Sequence, residues 1–254
     1  MIKPEFLSNE PVIAYKEGPV YEISINRPDK MNALTDAMYG TLIENLKIAE
    51  KDKATKVILL RSTGDHFSAG NDLADFLETD FNLESNVVQF LLTMASLTKP
   101  IIAVVNGAAV GIGTTMLLHC DLVYAAADVK FSVPFIKLGL TPEGGSSRLL
   151  AECCGARKAN EWLLTGRNIL ADEALSSGLV NQVFDDAESC WHGAMDTAQK
   201  LAKSSSEVLV ASKKLLKGDQ VDSVVELIKK EALVFAERLQ SDDAKAAFAA
   251  FLNR

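Results

Sequence analysis

Histidine and cysteine are scarce in this chain, with 3 His and 4 Cys among 254 residues. His66, His119 and His192 stand apart with no HExxH pair, and Cys120, Cys153, Cys154 and Cys190 show no CxxC spacing. The sequence therefore offers no metal centre, and each histidine reads as structural. The thiols are expected to be reduced and buried, with the vicinal Cys153-Cys154 as two packed thiols rather than a redox pair. No Gly-x-Ser-x-Gly elbow occurs, which removes the usual serine acyl-transfer reading. Basic residues are outnumbered, 26 Lys+Arg against 34 Asp+Glu, for a formal net charge of −8, so a basic nucleic-acid surface is excluded as the default. Long apolar runs are missing too. Ile101 to Val105 and Ala108 to Ile112 are interrupted by Asn106 and Gly107, far short of the roughly 20 residues of a membrane span. Met1 to Glu10 lacks a basic start followed by an apolar run, and Phe251-Leu252-Asn253-Arg254 is not a Ser-Lys-Leu address, so the expected location is the cytoplasm.

What is present fits a globular protein with a sizeable core: 48% hydrophobic and 24% charged residues. Val12 to Lys16 and Val20 to Asn26 are β-rich runs separated by Glu17-Gly18-Pro19, the pattern of a hairpin. The period then changes. After Thr35, a plausible N-cap, apolar residues fall at Met38, Leu42, Ile43, Leu46 and Ala49, which predicts a helix to about Asp52. Lys56 to Ser62 and Ile101 to Val105 read as buried strands with helix between them, hence a parallel crossover. A helix at about Gly111 to His119 and a strand at Asp121 to Ala125 repeat the theme, which makes the fold class α/β. Beyond Gly144 helix predominates, with Leu179 to Phe184 the remaining strand. Val221, Val224, Val225, Ile228, Ala232, Phe235 and Leu239 form one helical stripe, and Ala247, Phe248, Phe251 and Leu252 continue an apolar face. Either the chain's own core or a neighbouring subunit covers these stripes. The segment Lys213-Lys214-Leu215-Leu216-Lys217 reads as a solvated face that could attract a phosphate.

Three glycine-containing turns follow strand ends. In His66-Phe67-Ser68-Ala69-Gly70-Asn71-Asp72-Leu73 the glycine lets successive N–H groups face outward, although on local grounds alone an ordinary strand-to-helix turn with Asp72 near the helix start is the better reading. Asn106-Gly107-Ala108-Ala109-Val110-Gly111-Ile112-Gly113-Thr114-Thr115 joins an apolar strand to a helix start with free N–H groups. As a dinucleotide fingerprint it matches poorly, because Met116 stands where Gly or Ala is needed. The alternative use of such amides is to bond a carbonyl oxygen that gains negative charge. In Leu138-Gly139-Leu140-Thr141-Pro142-Glu143-Gly144-Gly145 the only carboxylate is Glu143, either a solvated turn residue or, in an apolar pocket, an acid raised toward the value that general acid–base chemistry needs.

Together with Asn26-Arg27-Pro28-Asp29-Lys30-Met31-Asn32-Ala33-Leu34, these turns, from about Val12 to Ala202 in order, resemble the enoyl-CoA hydratase/isomerase (crotonase) superfamily. The resemblance implies a spiral of ββα turns over residues 1–200 carrying an acyl-CoA site, a helical trimerisation region over residues 201–254, and a homotrimer or dimer of trimers. It implies an acyl-CoA thioester substrate and no cofactor beyond the coenzyme A that the substrate itself carries. The amides of Asn71 and Ile112 match the positions that hold the thioester oxygen, and the substrate contacts would fall at Lys30, Ala33, Ser68, Ala69, Gly70, Leu73, Gly111 and Phe135.

The departures narrow the reaction. Members that hydrate a 2-enoyl thioester carry two glutamates, and Thr115 and Phe135 stand at those positions. Glu143 instead stands where the peroxisomal-type Δ3-Δ2-enoyl-CoA isomerases place their single catalytic glutamate, so the resemblance implies a double-bond isomerase of fatty-acid or related acyl-CoA catabolism. Another crotonase reaction, such as hydration, thioester hydrolysis or dehalogenation, and a non-catalytic acyl-CoA-binding protein are the alternatives.

Overall fold

The computed structural model describes residues 8–252 apart from 79 and 219, and leaves the side chains of 251 and 252 aside, so the readings made on residues 1–7, on the side chains of Phe251 and Leu252, and on Asn253-Arg254 fall outside the described residues. Strands β1 (Val12–Glu17) and β2 (Val20–Ile25) pair antiparallel as the expected hairpin, with Gly18 turning the chain at φ +56°. Helix α1 (Asp36–Lys51) starts where the sequence places it. The Thr35 hydroxyl oxygen accepts the Met38 N–H at 3.4 Å, and the predicted face from Met38 to Ala49 is buried. Strand β3 (Val57–Ser62) follows, then helices α2 (Leu73–Glu78) and α3 (Asn86–Ser96), and then strand β4 (Ile101–Val105), whose five residues are all buried. That burial on both faces explains why these strands show no alternation in the sequence.

Strand β5 (Ala108–Val110) leads into helix α4 (Ile112–Thr115), which tightens to a 3-10 turn over Met116–His119, so the single helix expected from Gly111 is two short pieces. Next come strands β6 (Leu122–Ala126) and β7 (Lys130–Ser132), a 3-10 turn at Phe135–Leu138, and helices α5 (Ser146–Cys154) and α6 (Ala156–Thr165). Strand β8 (Ile169–Leu170), helix α7 (Ala171–Ser177), strand β9 (Gln182–Phe184) and helices α8 (Ala187–Ala202), α9 (Ser206–Lys217), α10 (Gln220–Leu239) and α11 (Asp242–Leu252) complete the order. The last strand is shorter than the apolar run from Leu179 predicts, because the N–H groups of Leu179 and Val180 turn back onto the Ala174 carbonyl to finish α7.

The larger sheet runs β1-β2-β3-β4-β6-β9, parallel except for the first pair, and the smaller one runs β5-β7-β8. Single rungs at Leu34 with Asn71 and at Ser68 with Ala109 extend the small sheet toward the N-terminus. Each turn of the chain thus contributes one segment to each sheet before a helix carries it onward, which is a ββα spiral. One face of the large sheet packs on α8, where Cys190, Ala194, Met195 and Ala198 meet Leu59, Ile102 and Val104. The other face holds the main core, and Val224, Ile228, Ala232, Phe235, Ala244 and Phe248 of the C-terminal helices belong to that same core. The predicted stripe on α10 therefore faces the chain's own interior.

Two surface expectations are corrected. Lys213 is no solvated residue: it is buried and donates to Asp121 at 2.6 Å and to the Lys99 carbonyl at 2.7 Å, because α9 lies against the end of β4. Cys190 is buried as expected, but Cys120, at the end of the 3-10 turn, is half-buried, and on α5, which turns only part of its surface inward, Cys153 is exposed and Cys154 half-buried.

Candidate active site

The site is assembled from loops that the spiral stacks side by side. In the first, Met31 and Asn32 adopt left-handed backbone at φ 51° and 56°, a conformation asparagine tolerates better than most residues. Asn32 is fully buried, where its side-chain oxygen accepts the Arg27 N–H and its amide donates to the carbonyls of Thr63 and His66. Arg27 in turn donates to the Ala33 carbonyl and to Asp72, 2.7 Å away, which locks the first loop to the second.

The second and third loops lie against each other. Ser68 N–H donates to the Ala108 carbonyl and Val110 N–H to the Ser68 carbonyl, both at 2.9 Å. The approach is close enough to require glycine: a Cβ on Gly70 would stand 2.8 Å from the Val110 oxygen, and one on Gly113 would stand 2.8 Å from the Ser68 oxygen. Leu34 N–H bonds the Gly70 carbonyl and Asp72 N–H bonds the Leu34 carbonyl, so the strand-like pairing skips the amide between them. The N–H groups of Asn71 and Ile112 meet no acceptor among the described residues, and both residues line a cavity of about 630 Å³.

Lys30, Ala33, Ala69, Gly70, Leu73, Gly111 and Phe135 line the same cavity, as the sequence expects. Ser68 does not. It is fully buried behind the loop, where its hydroxyl donates to the Asn32 carbonyl and accepts the Gly70 N–H, so it shapes the loop instead of facing the cavity. Glu143 lies in a small adjoining cavity of about 10 Å³, which shares Asn71 and Phe235 with the large one. The residue is 9% exposed, and its carboxyl accepts the hydroxyl of Thr115. Burial pushes its pKa up to about 8, against the Thr115 bond and with the help of the Glu231 charge. Asp72 also borders the large cavity, but the Arg27 bond holds its carboxyl below the usual range, and it caps α2 by accepting the N–H groups of Ala74 and Asp75.

Known proteins resemble this chain in sequence and in fold. A model of the enoyl-CoA hydratase/isomerase family matches residues 15–254. The chain belongs to that family. Enoyl-CoA delta isomerase 2 of Rattus norvegicus is 33% identical over 252 residues, and 2,3-dehydroadipyl-CoA hydratase of Escherichia coli is 30% identical over 245 residues. The alignments take in 96% of this chain in each case, 63% of the rat protein and 96% of the bacterial one. The chain thus spans just under two thirds of the length of the rat isomerase. Among solved structures, Pseudomonas aeruginosa OdaA superposes with a TM-score of 0.94 at 38% identity, covering 97% of this chain and 100% of that one. The enoyl-CoA hydratase/isomerase of Pseudoalteromonas atlantica gives 0.91 at 37% identity, covering 96% of this chain and 97% of that one.

Within the enoyl-CoA hydratase/isomerase fold, four supporting residues escape sequence reasoning. Tyr39 donates to the side-chain oxygen of Asn71, and Phe235 packs against Phe76, Phe81 and Phe135 between the two cavities. His119, fully buried, donates from Nε2 to the Gly144 carbonyl at 2.8 Å, and burial lowers its pKa to about 4, so the ring is neutral. Glu231 reaches the same turn from α10 and accepts the Gly145 N–H at 2.6 Å. Only Glu231 left a signal, an acid set between Ile228, Ala232 and Phe235 on an otherwise apolar helical face.

Proposed function

We propose that this enzyme moves the double bond of a 3-enoyl-CoA thioester to the 2-position, with Glu143 as the acid and base. The observation that supports it is a buried carboxyl of raised pKa, Glu143, in a cavity that shares Asn71 with the one the two unpaired amides line, with a hydroxyl at Thr115 and an aromatic ring at Phe135 where the hydrating members of the family carry glutamates. In this reading ionised Glu143 takes a proton from C2. The electrons move onto the thioester oxygen, which accepts the N–H groups of Asn71 and Ile112, and protonated Glu143 returns the proton at C4. One carboxyl completes the cycle, and Phe135 and Phe235 keep water from the dienolate.

The sign of the pH dependence follows. Proton removal needs the carboxylate, so kcat/KM rises as pH passes through about 8 and levels above it. The test is an ultraviolet assay with 3-hexenoyl-CoA, whose absorbance grows as the alkene conjugates with the thioester. Conversion by the wild type and a loss of several orders of magnitude in Glu143→Gln support the reading. An inert wild type, or hydration of a 2-enoyl-CoA that survives Glu143→Gln, transfers the assignment to another reaction of the family or to acyl-CoA binding alone.

The same reading carries a homotrimer or dimer of trimers in the cytoplasm, with no cofactor besides the substrate's coenzyme A. Exposed apolar side chains at Val208, Leu215, Leu216 and Leu233 on α9 and α10 support an assembly surface. Sedimentation as a monomer at micromolar concentration would remove that part.

A further inference from the structure

The turn that carries Glu143 is held from both sides by residues distant in sequence. Helix α5 begins at Ser146 just beyond it, and its N-cap is Gly145, at φ +79°, which has no side chain to satisfy the first amides. Glu231 supplies what is missing. One carboxylate oxygen accepts the Gly145 N–H at 2.6 Å, and the other accepts the Ser147 N–H at 3.1 Å and the Ser147 hydroxyl at 2.5 Å. On the opposite side His119 donates to the Gly144 carbonyl at 2.8 Å. The single peptide that joins Gly144 to Gly145 is therefore held at both ends, its carbonyl by the His119 donor and its N–H by the Glu231 acceptor.

We infer that Glu231 is a positioning residue for Glu143: from the C-terminal region it caps α5, pins the Gly144-Gly145 turn, and sets a fixed negative charge behind the general base. The inference rests on the isomerase reading above. Burial raises the Glu231 pKa on balance, and two features oppose that push and favour its charged form. Three donors converge on its two oxygens, and Arg148 on α5 adds positive charge nearby, against the upward push of burial. The groups facing Glu143 are then few. Thr115 on α4 donates to it, Tyr39 on α1 stays a neutral phenol because burial and the Glu143 charge raise its pKa, His119 is neutral, and α3 contributes only Val87, Val88 and Leu91. Glu231 is the one charged neighbour among these, and it does not line either cavity.

Removing its charge while keeping its shape separates positioning from substrate binding. Glu231→Gln keeps one oxygen for the Gly145 N–H but sets an amide NH2 against the Ser147 N–H. The expected result is a kcat lower by about 10- to 100-fold, the scale of a displaced catalytic group, with KM unchanged. The acid limb of the kcat/KM profile moves to lower pH, because the carboxylate form of Glu143 loses a like-charged neighbour. Glu231→Asp restores the charge and returns the limb toward the wild-type position. Ser147→Ala deletes one donor to the same carboxylate and gives the same kcat-without-KM effect at smaller size, which keeps the test open should Glu231→Gln not fold. A direct readout needs no turnover. The 13C carboxyl signal of Glu143, identified by its loss in Glu143→Gln, titrates at lower pH in Glu231→Gln than in wild type. Wild-type kcat and an unmoved limb in Glu231→Gln, unchanged kcat in Ser147→Ala, or a carboxyl titration identical in the two proteins would each overturn the inference. An inert wild type with a shifted carboxyl titration defeats the isomerase reading alone and leaves the electrostatic role of Glu231 standing.

Discussion

A buried acid that must ionise in place leaves a mark on folding as well as on catalysis. Glu143 ionises near 4.5 in an unfolded chain and at about 8 in the folded protein, where its carboxyl is enclosed by Leu91, Ile228 and Phe235. Because the folded value is the higher one, the stabilising contribution is fully present below about 4.5 and is lost as pH rises through about 8. At about 1.4 kcal/mol per pH unit, the loss over that window is about 5 kcal/mol. Glu143→Gln has no such linkage, since the amide is neutral in both states and its oxygen still accepts the Thr115 hydroxyl. Urea unfolding of the two proteins, at matched protein concentration and at pH 5, 7 and 9, reads the difference directly. The variant should gain on the wild type steadily from pH 5, with the gap widest at pH 9. Other shifted groups, such as His119, are common to both chains and cancel in the difference. Stability curves that run parallel from pH 5 to 9 would falsify the claim that this carboxyl is desolvated, and the raised pKa of the proposed general base would fall with it.

Other consequences are more local. Gly113→Ala places a Cβ 2.8 Å from the Ser68 oxygen and forces the second and third loops apart; steady-state kinetics should show kcat down by about 100-fold, the usual loss when one oxyanion donor is displaced. Phe235→Ala removes a ring that packs on Phe76, Phe81 and Phe135, and should cost about 3 to 5 kcal/mol in urea unfolding. Because Phe235 borders both cavities, the same variant should shift the preference among acyl-CoA thioesters toward longer chains, measured as kcat/KM over a chain-length series. Lys213→Ala removes a buried ammonium that donates to Asp121 and to the Lys99 carbonyl and should destabilise the chain by about 2 kcal/mol in the same assay, whereas a truly solvated lysine would change almost nothing.

Much of this protein is legible along the chain because its signals are local. The hairpin at Gly18, the Thr35 cap and the apolar face of α1 depend on residues within a few positions of one another, and a strand buried on both faces betrays itself as an unbroken apolar run such as Ile101 to Val105. The glycines that let Asn71 and Ile112 present free amides stand in the sequence for the same reason, since only a missing Cβ permits the contact of 2.8 Å at Gly70 or Gly113. Glu143 was visible as the sole carboxylate of its turn. Which of its two readings holds, solvated turn residue or raised acid, was not, because a pKa of about 8 comes from what encloses the group: Val87, Val88 and Leu91 from α3, Ile228 and Phe235 from α10, and the charge of Glu231. Nor could position along the chain show that Ser68 turns inward, that Lys213 meets Asp121 across 92 residues, or that Glu231 caps a helix 84 to 86 residues away. Sequence by itself determined which segments twist into strands and helices and where the backbone turns tightly, through sterics and hydrophobic period. Only the packing of distant segments decided which polar groups leave water, and the free energy of that desolvation is what raises the pKa of one glutamate among many.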